Sequence, residues 1–224
     1  MNAKNCFLLA FALTGFVVSS QAQVITEWTF ETSAPATSGP VSAEVGTGTA
    51  SGSHAGAAVY SSPAGDGSTH SYSSTIWAVG DYYQLSLSTA GFSQVSLSYD
   101  QISSATGPGN FLLTYSTDGG TTFNPIGSTY SVIANSTPNA WSTTVFSTAS
   151  VFTPTLPSDA GDETSLIFRL VDESTTSANG GTVASGGTDR IDNFDVSVTP
   201  TPEPSTLALI GLGAASLLGL RRRK

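Results

Sequence analysis

The sequence predicts an all-β fold, two antiparallel sheets packed as a sandwich, between two terminal segments of different character. Three observations carry the prediction. Polar and apolar residues alternate with period two in stretch after stretch of residues 24–198, as they do where one face of a strand is buried and the other wetted. Serine, threonine, glycine and aromatic residues are plentiful there, whereas lysine, glutamate and arginine, which favour helices, are scarce. Turn-forming clusters separate the alternating stretches, and none of them repeats with the period of an amphipathic helix.

The elements follow in chain order. Lys4 gives a basic start, residues 7–18 an apolar run and Ser20-Gln21-Ala22 a small-residue cleavage pattern, so residues 1–22 read as a signal peptide with a helical core, cut between Ala22 and Gln23. Cys6 leaves with it, so disulfides, thiol chemistry and thiolate metal sites are excluded from the mature chain. Residues 24–30, 83–87, 95–99, 111–115 and 194–198 alternate and read as half-buried strands. Residues 166–171, Leu-Ile-Phe-Arg-Leu-Val, are nearly all apolar, as in a central strand covered on both faces. Between Tyr115 and Phe123, Ser116-Thr117-Asp118-Gly119-Gly120-Thr121 supplies the positive-φ residues of a tight hairpin. Residues 33–56 and 174–188, rich in Gly, Ser, Thr and Ala, read as long loops, either surfaces for binding or plain slack. Residues 23–199 thus form one domain by length.

The tail, residues 200–224, has three parts. Pro202-Glu203-Pro204-Ser205 is a stiff, extended segment because each proline fixes its own φ and biases the residue before it. Residues 205–220 are apolar and would make a transmembrane helix roughly 24 Å long, short of a hydrocarbon layer of about 30 Å. Arg221, Arg222, Arg223 and Lys224 would snorkel at its end and hold it on the cytoplasmic side. This motif, helix and basic end closely resemble the PEP-CTERM sorting tail of exported bacterial proteins. The resemblance implies processing near Pro202-Glu203-Pro204 by a membrane-embedded exosortase, a transient stay in the inner membrane, and delivery to the cell surface or extracellular matrix.

Removing both ends sharpens the charge. Lys4 and the four basic residues of the tail go, leaving Arg169 and Arg190 against fifteen carboxylates, a net of −13 over residues 23–199. Such a surface repels phosphate backbones, which argues against nucleic acid, and suits neutral polymers, divalent cations or mere solubility.

Glu27-Trp28-Thr29-Phe30-Glu31, residues 115–123, Phe168-Arg169-Leu170 and Arg190-Ile191-Asp192-Asn193-Phe194-Asp195-Val196, in that order, are similar to extracellular jelly-roll domains of the MAM and carbohydrate-binding-module kind. The resemblance implies a jelly-roll sandwich whose first and last strands lie side by side, joined in many such domains by a structural calcium ion. Calcium takes six to eight oxygens. Among the acids of the two end segments, Glu31 and Asp192 form the pair to test, with an Asp192-Asn193 turn as the alternative. On a regular strand Asp189 and Asp195 would share a face and Asp192 would point away from them.

No Gly-x-Ser-x-Gly elbow, His-Glu-x-x-His or phosphate loop occurs, and the two histidines, His54 and His70, lie in Gly/Ser-rich stretches. Trp77, Tyr82 and Trp141, near strand ends, are candidate sugar-stacking residues or core; Trp28, alternating with Phe30, is core. Three roles fit: a non-catalytic module binding extracellular polysaccharide, a glycosylated structural matrix protein without a discrete ligand, and a small secreted hydrolase using carboxylates that the sequence does not single out.

Overall fold

A computed structural model describes residues 22–198. The signal peptide, its cleavage-site neighbours before Ala22, and the sorting tail with its helix lie outside the described residues. Among the described residues no helix is long and apolar enough to cross a membrane.

The described chain is all-β. Its strands are β1 (Gln23–Trp28), β2 (Val41–Ser42), β3 (Gly48–Ser53), β4 (Tyr60–Ser61), β5 (Tyr72–Ser74), β6 (Tyr82–Leu87), β7 (Val95–Ser103), β8 (Asn110–Ser116), β9 (Asn124–Pro125), β10 (Tyr130–Ser131), β11 (Val151–Phe152), β12 (Leu166–Asp172) and β13 (Asp189–Val198). They form two antiparallel sheets. The six-stranded sheet runs β11-β7-β13-β5-β4, with β1 paired to the other half of the β13 edge that β5 uses. The seven-stranded sheet runs β10-β8-β12-β6-β3-β2, with β9 on β8.

The expected strands are present, and the first and last do lie side by side, with Gln23 opposite Val198 and Trp28 opposite Phe194. The Tyr115–Phe123 hairpin is also found. Gly119 and Gly120 take φ of +74° and +90°, and Asp118 Oδ1 accepts from the Thr121 and Thr122 amides, which closes the turn between β8 and β9.

Inward side chains of both sheets make one core. Trp28, Tyr72, Tyr83, Tyr99, Phe111, Phe168 and Phe194 are fully or almost fully buried, and Trp28 meets Phe194 edge-on at 5.9 Å between ring centres. Each buried ring contributes roughly 2–3 kcal/mol of apolar transfer free energy. That is where most of the fold's drive lies.

Three expectations need correction. Residues 33–56 are not one loop: β3, Gly-Thr-Ala-Ser-Gly-Ser, pairs along the whole of β6. Its small residues are a packing requirement, since a Cβ on Gly48 would stand 2.7 Å from the Trp28 ring and one on Gly52 2.5 Å from the Tyr60 ring. Residues 174–188 are tied down rather than slack, with Gly109 donating to Thr176 O and Ala178 to Gly107 O. Finally, β12 is central in its sheet but only partly covered on its second side: Leu166, Phe168 and Leu170 face the core, Ile167 is buried on the outer face, and Arg169 and Val171 are half-buried there.

Candidate functional site

Each sheet has an outer face, and the two differ. On the seven-stranded sheet, alternation places Gln84 and Tyr82 of β6, Arg169 of β12 and Ser51 of β3 outward, with Gln84 directly between Ser51 and Arg169 in register. The hairpin after β8 folds back over this face, bringing Phe123 onto it. Arg169 Cζ lies 3.7 Å from the centre of the Phe123 ring and 4.1 Å from that of Tyr82. Its Nε donates to Gln84 Oε1 at 2.8 Å. Each cation–π contact on a half-exposed face contributes about 0.5–1 kcal/mol, so the guanidinium and both rings hold one another in place. Thr114, opposite Arg169 on β8, has a buried Oγ1 with no partner. The result is a half-buried surface of one cation, two aromatic rings, an amide and the Ser51 hydroxyl. It offers C–H faces something to pack on and hydroxyl groups something to bond.

The six-stranded sheet's outer face is closed around Asp100 and Asp192, although it is accessible further along at Ser96 and Asp195. Asp100 and Asp192 are opposite each other on β7 and β13, and residues 62–70 and 141–150 roof them. Asp192 Oδ2 accepts from the Asp66 amide at 2.9 Å and Ser68 Oγ at 2.6 Å, and Oδ1 from the Asn193 amide at 2.9 Å. Asn193 Nδ2 donates to Asp100 Oδ2 at 2.7 Å, and Asp66 accepts from the Ser147 amide and Ser150 Oγ. Burial, with each neighbouring carboxylate adding, pushes Asp100 and Asp192 up to about 7, and burial raises Asp66.

A β-bulge explains how β13 reaches this face. Register slips between Asp192 and Asp195, with Asn193 at φ +45°, so Asp189 is core-facing while Asp195 is half-exposed on the other side. The expectation that Asp189 and Asp195 share a face held only for a regular strand, and the bulge removes it.

The calcium pair does not fit as folded. Glu31 and Asp192 grip the same loop, Glu31 Oε1 through the His70 amide at 2.6 Å and Asp192 through Asp66 and Ser68. The lone pairs an ion would need are thus turned toward N–H and O–H donors. Among the described residues no group of three or more His, Cys, Asp or Glu side chains is arranged to hold a metal. The Asp192-Asn193 turn weighed from sequence does not form either: both residues stay within β13, at its bulge.

Two of the three candidate ligand aromatics are interior. Trp77 is 6% exposed, its ring edge-on to Tyr83 and Phe111, and its Nε1 donates to Ser74 O at 3.0 Å. Trp141 is likewise 6% exposed, within the roof over Asp100 and Asp192, its Nε1 donating to Ser150 Oγ at 2.8 Å. Both indoles found hydrogen-bond partners in the interior, which removes the reason for a strand-end indole to stay wet. Tyr82 alone is on the half-buried platform. Arg169, Phe123 and Gln84 were missed as site residues, although Tyr82 and Gln84 already alternate outward in the sequence.

One buried arrangement has catalytic connectivity. Ser74 Oγ is 3.1 Å from His54 Nε2, and His54 Nδ1 is 3.1 Å from Asp81 Oδ2. Yet Ser74 is 0% exposed and its Oγ meets the Tyr83 hydroxyl at 2.9 Å, with Tyr83 bonded on to Asp189 O at 2.8 Å. Burial holds the His54 pKa below its usual value despite Asp81. As folded, no substrate carbonyl reaches this serine, and the group ties β3, β5 and β6 together. His70 sits in the loop that Glu31 grips, its Nδ1 3.4 Å from Ser62 O.

Comparison with known proteins adds the following. Residues 200–224 match the PEP-CTERM protein-sorting motif, so the chain carries that motif at its C-terminus. No curated protein sequence matches the chain. Among solved structures, one of carbohydrate-binding modules from the β-sandwich superfamily is 13% identical, with a TM-score of 0.43, over 76% of this chain and 61% of that one. The tandem CBM22 domains of Paenibacillus barcinonensis Xyn10C give 10% identity and a TM-score of 0.49, over 83% of this chain and 49% of theirs. The K3 cleaved adhesin domain of Lys-gingipain from Porphyromonas gingivalis gives 12% and 0.45, over 78% and 98%. This chain therefore spans less than two thirds of the first of these structures. All three are distant, and the fold described above stands on its own strand pairing.

Proposed function

We propose that the protein is an exported, surface-retained β-sandwich of jelly-roll type that binds extracellular polysaccharide without catalysis, through the outer face of its seven-stranded sheet. The observation that carries this reading is the platform of Tyr82, Phe123 and Arg169, half-buried on the outer face of a sheet and flanked by Gln84 and Ser51. A sugar ring has apolar C–H faces and equatorial hydroxyls, and aromatic rings beside fixed donors and acceptors complement both. The sorting motif supports the placement. An exosortase would read Pro202-Glu203-Pro204, and the matured domain would work where polysaccharide is met. The sealing of Ser74 speaks against a serine nucleophile and leaves a carboxylate hydrolase as the alternative.

Binding is tested by screening residues 23–199 on a glycan array beside the Tyr82→Ala and Phe123→Ala variants. Retention on at least one glycan class that both variants weaken is the expected result. An array on which the parent retains nothing would remove the polysaccharide role and favour the glycosylated matrix protein, for which native material should be much heavier than its sequence. Retention is tested separately: Glu203→Ala should alter processing and surface placement while leaving the sandwich folded. A variant processed and retained like the parent would make the tail an ordinary anchor.

A further inference from the structure

We infer that Arg169 receives a carboxylate carried by the glycan, so that the open face selects polysaccharides bearing isolated uronic acids over wholly neutral ones. The inference rests on the polysaccharide reading above and adds the charge of the ligand to it.

The sandwich has two arginines and fifteen carboxylates. Arg190 is used internally: its Nη1 donates to Ala64 O at 2.7 Å and its guanidinium lies 5.4 Å from the Trp141 ring. Arg169 is on the open face. Among the described residues the one contact at salt-bridge distance is His54 to Asp81, with a histidine whose pKa burial lowers, so Arg169 has no acidic partner although acids outnumber arginines so heavily. A cation left unpaired in so acidic a domain is not short of available partners. It is held away from them.

The guanidinium is nonetheless fixed. Gln84 Oε1 accepts from the Nε–H, and Tyr82 and Phe123 set the plane of the group. What remains is the Nη edge, a fork of N–H donors with no protein partner among the described residues, and such a fork matches the two oxygens of a carboxylate. Because rings and amide already hold the side chain, little rotamer freedom is left to lose on binding. A hexuronate meets both halves of the platform at once, its carboxylate on the fork and its ring C–H groups against Phe123 or Tyr82.

The rest of the surface limits how much charge the ligand carries. A net of −13 over residues 23–199 repels a chain with a carboxylate on every sugar, whereas one acid among neutral sugars feels mainly Arg169 beneath it. At physiological salt the screening length is about 8 Å, comparable with the spacing of a few sugars. Sparse acidity is therefore favoured over dense acidity.

The test is an array of matched oligosaccharides in which each backbone is present neutral, with one terminal glucuronate, and with a glucuronate on every sugar. Binding strengths are read for the parent, Arg169→Gln and Arg169→Lys. The parent should hold the singly charged member about tenfold more tightly than its neutral twin, equal to about 1.4 kcal/mol. The preference should fall to about one in Arg169→Gln and to about twofold to threefold in Arg169→Lys, which keeps charge but loses the fork and the stacking. The fully charged member should rank below the singly charged one, less so as salt is added. Melting within about 2 °C of the parent checks that both variants are folded. Equal binding of neutral and singly charged members by the parent overturns this inference and leaves the polysaccharide reading standing. If no member of any backbone is retained, both fall. Tightest binding of the fully charged member, or a preference that survives Arg169→Gln, also overturns it.

Discussion

On the outer side of the six-stranded sheet, Asp100, Asp192 and Arg190 lie under a roof made by residues 62–70 and 141–150; on the outer side of the seven-stranded sheet, Arg169 lies half-buried between sequence-distant aromatic rings. Both faces are made by strand alternation, and both display charge. The difference is in what satisfies it. The closed face is saturated, with every Asp192 oxygen bonded to protein donors. The open face leaves donors over. A saturated polar layer stabilises a fold, whereas an unsaturated one is available to something else.

The largest effect on this contrast should come from the roof. Gly65→Ala would drive a Cβ into Asp192 Oδ2, Ser68 Oγ and His70 O together, and Asp192→Ala would orphan the Asp66 and Asn193 amides. Either change should destabilise the domain by about 3 kcal/mol, lowering the melting temperature by about 10 °C in calorimetry. A loss under about 1 kcal/mol would mean that the roof is ornamental.

Next comes pH. Asp100 and Asp192 are raised to about 7 in the folded state, chiefly by burial, with Asp66 raised beside them. Carboxylates raised on folding bind protons more tightly in the native state, so their contribution is fully present below the unfolded pKa, near 4, and is lost as pH rises through about 7. Melting should fall by roughly 5 °C between pH 5 and pH 8. Asp192→Asn should flatten that slope, and a melt that rises with pH would contradict the closed-face electrostatics.

A change on the open face should separate binding from stability. Phe123→Ala is expected to weaken glycan retention about tenfold while moving the melt by less than about 2 °C. If stability falls as far as it does in Gly65→Ala, the platform belongs to the core and the contrast collapses.

The smallest effect concerns the ion. With Asp192 and Glu31 bonded to protein donors, adding calcium or a chelator should shift the melt by less than about 1 °C. A calcium-dependent rise abolished in Asp192→Ala would reinstate a metal beneath the roof.

The sequence made the framework legible wherever burial imposed a strict period. Residues 83–87 and 194–198 alternate because one side chain in two enters the core, and they appear as β6 and the end of β13. It hid β3, because glycine and serine carry no strand signal when the constraint is room for Trp28 and Tyr60. It hid the change of face after Asp192, which turns Asp195 outward, since a bulge depends on Asn193 adopting φ +45° against neighbours far along the chain. Exposure was the least legible quantity. Trp77 and Trp141 look free beside turns, yet each finds an oxygen inside, and Phe123 looks like a core residue after a hairpin but lies on Arg169.

The pairing of β1 with β13 also has a mechanical side. The strand that leads to residue 199 is the longest in the domain, flanked by β7 along one edge and by β1 and β5 along the other. A pull applied there runs lengthwise along β13, so its ladder bonds are loaded together in shear rather than opened one at a time from an end. Force entering through a polymer on the opposite sheet would reach that strand through the aromatic layer of Phe168 and Phe194. The pairing of β13 on both edges thus suits it to bear a load along its own length.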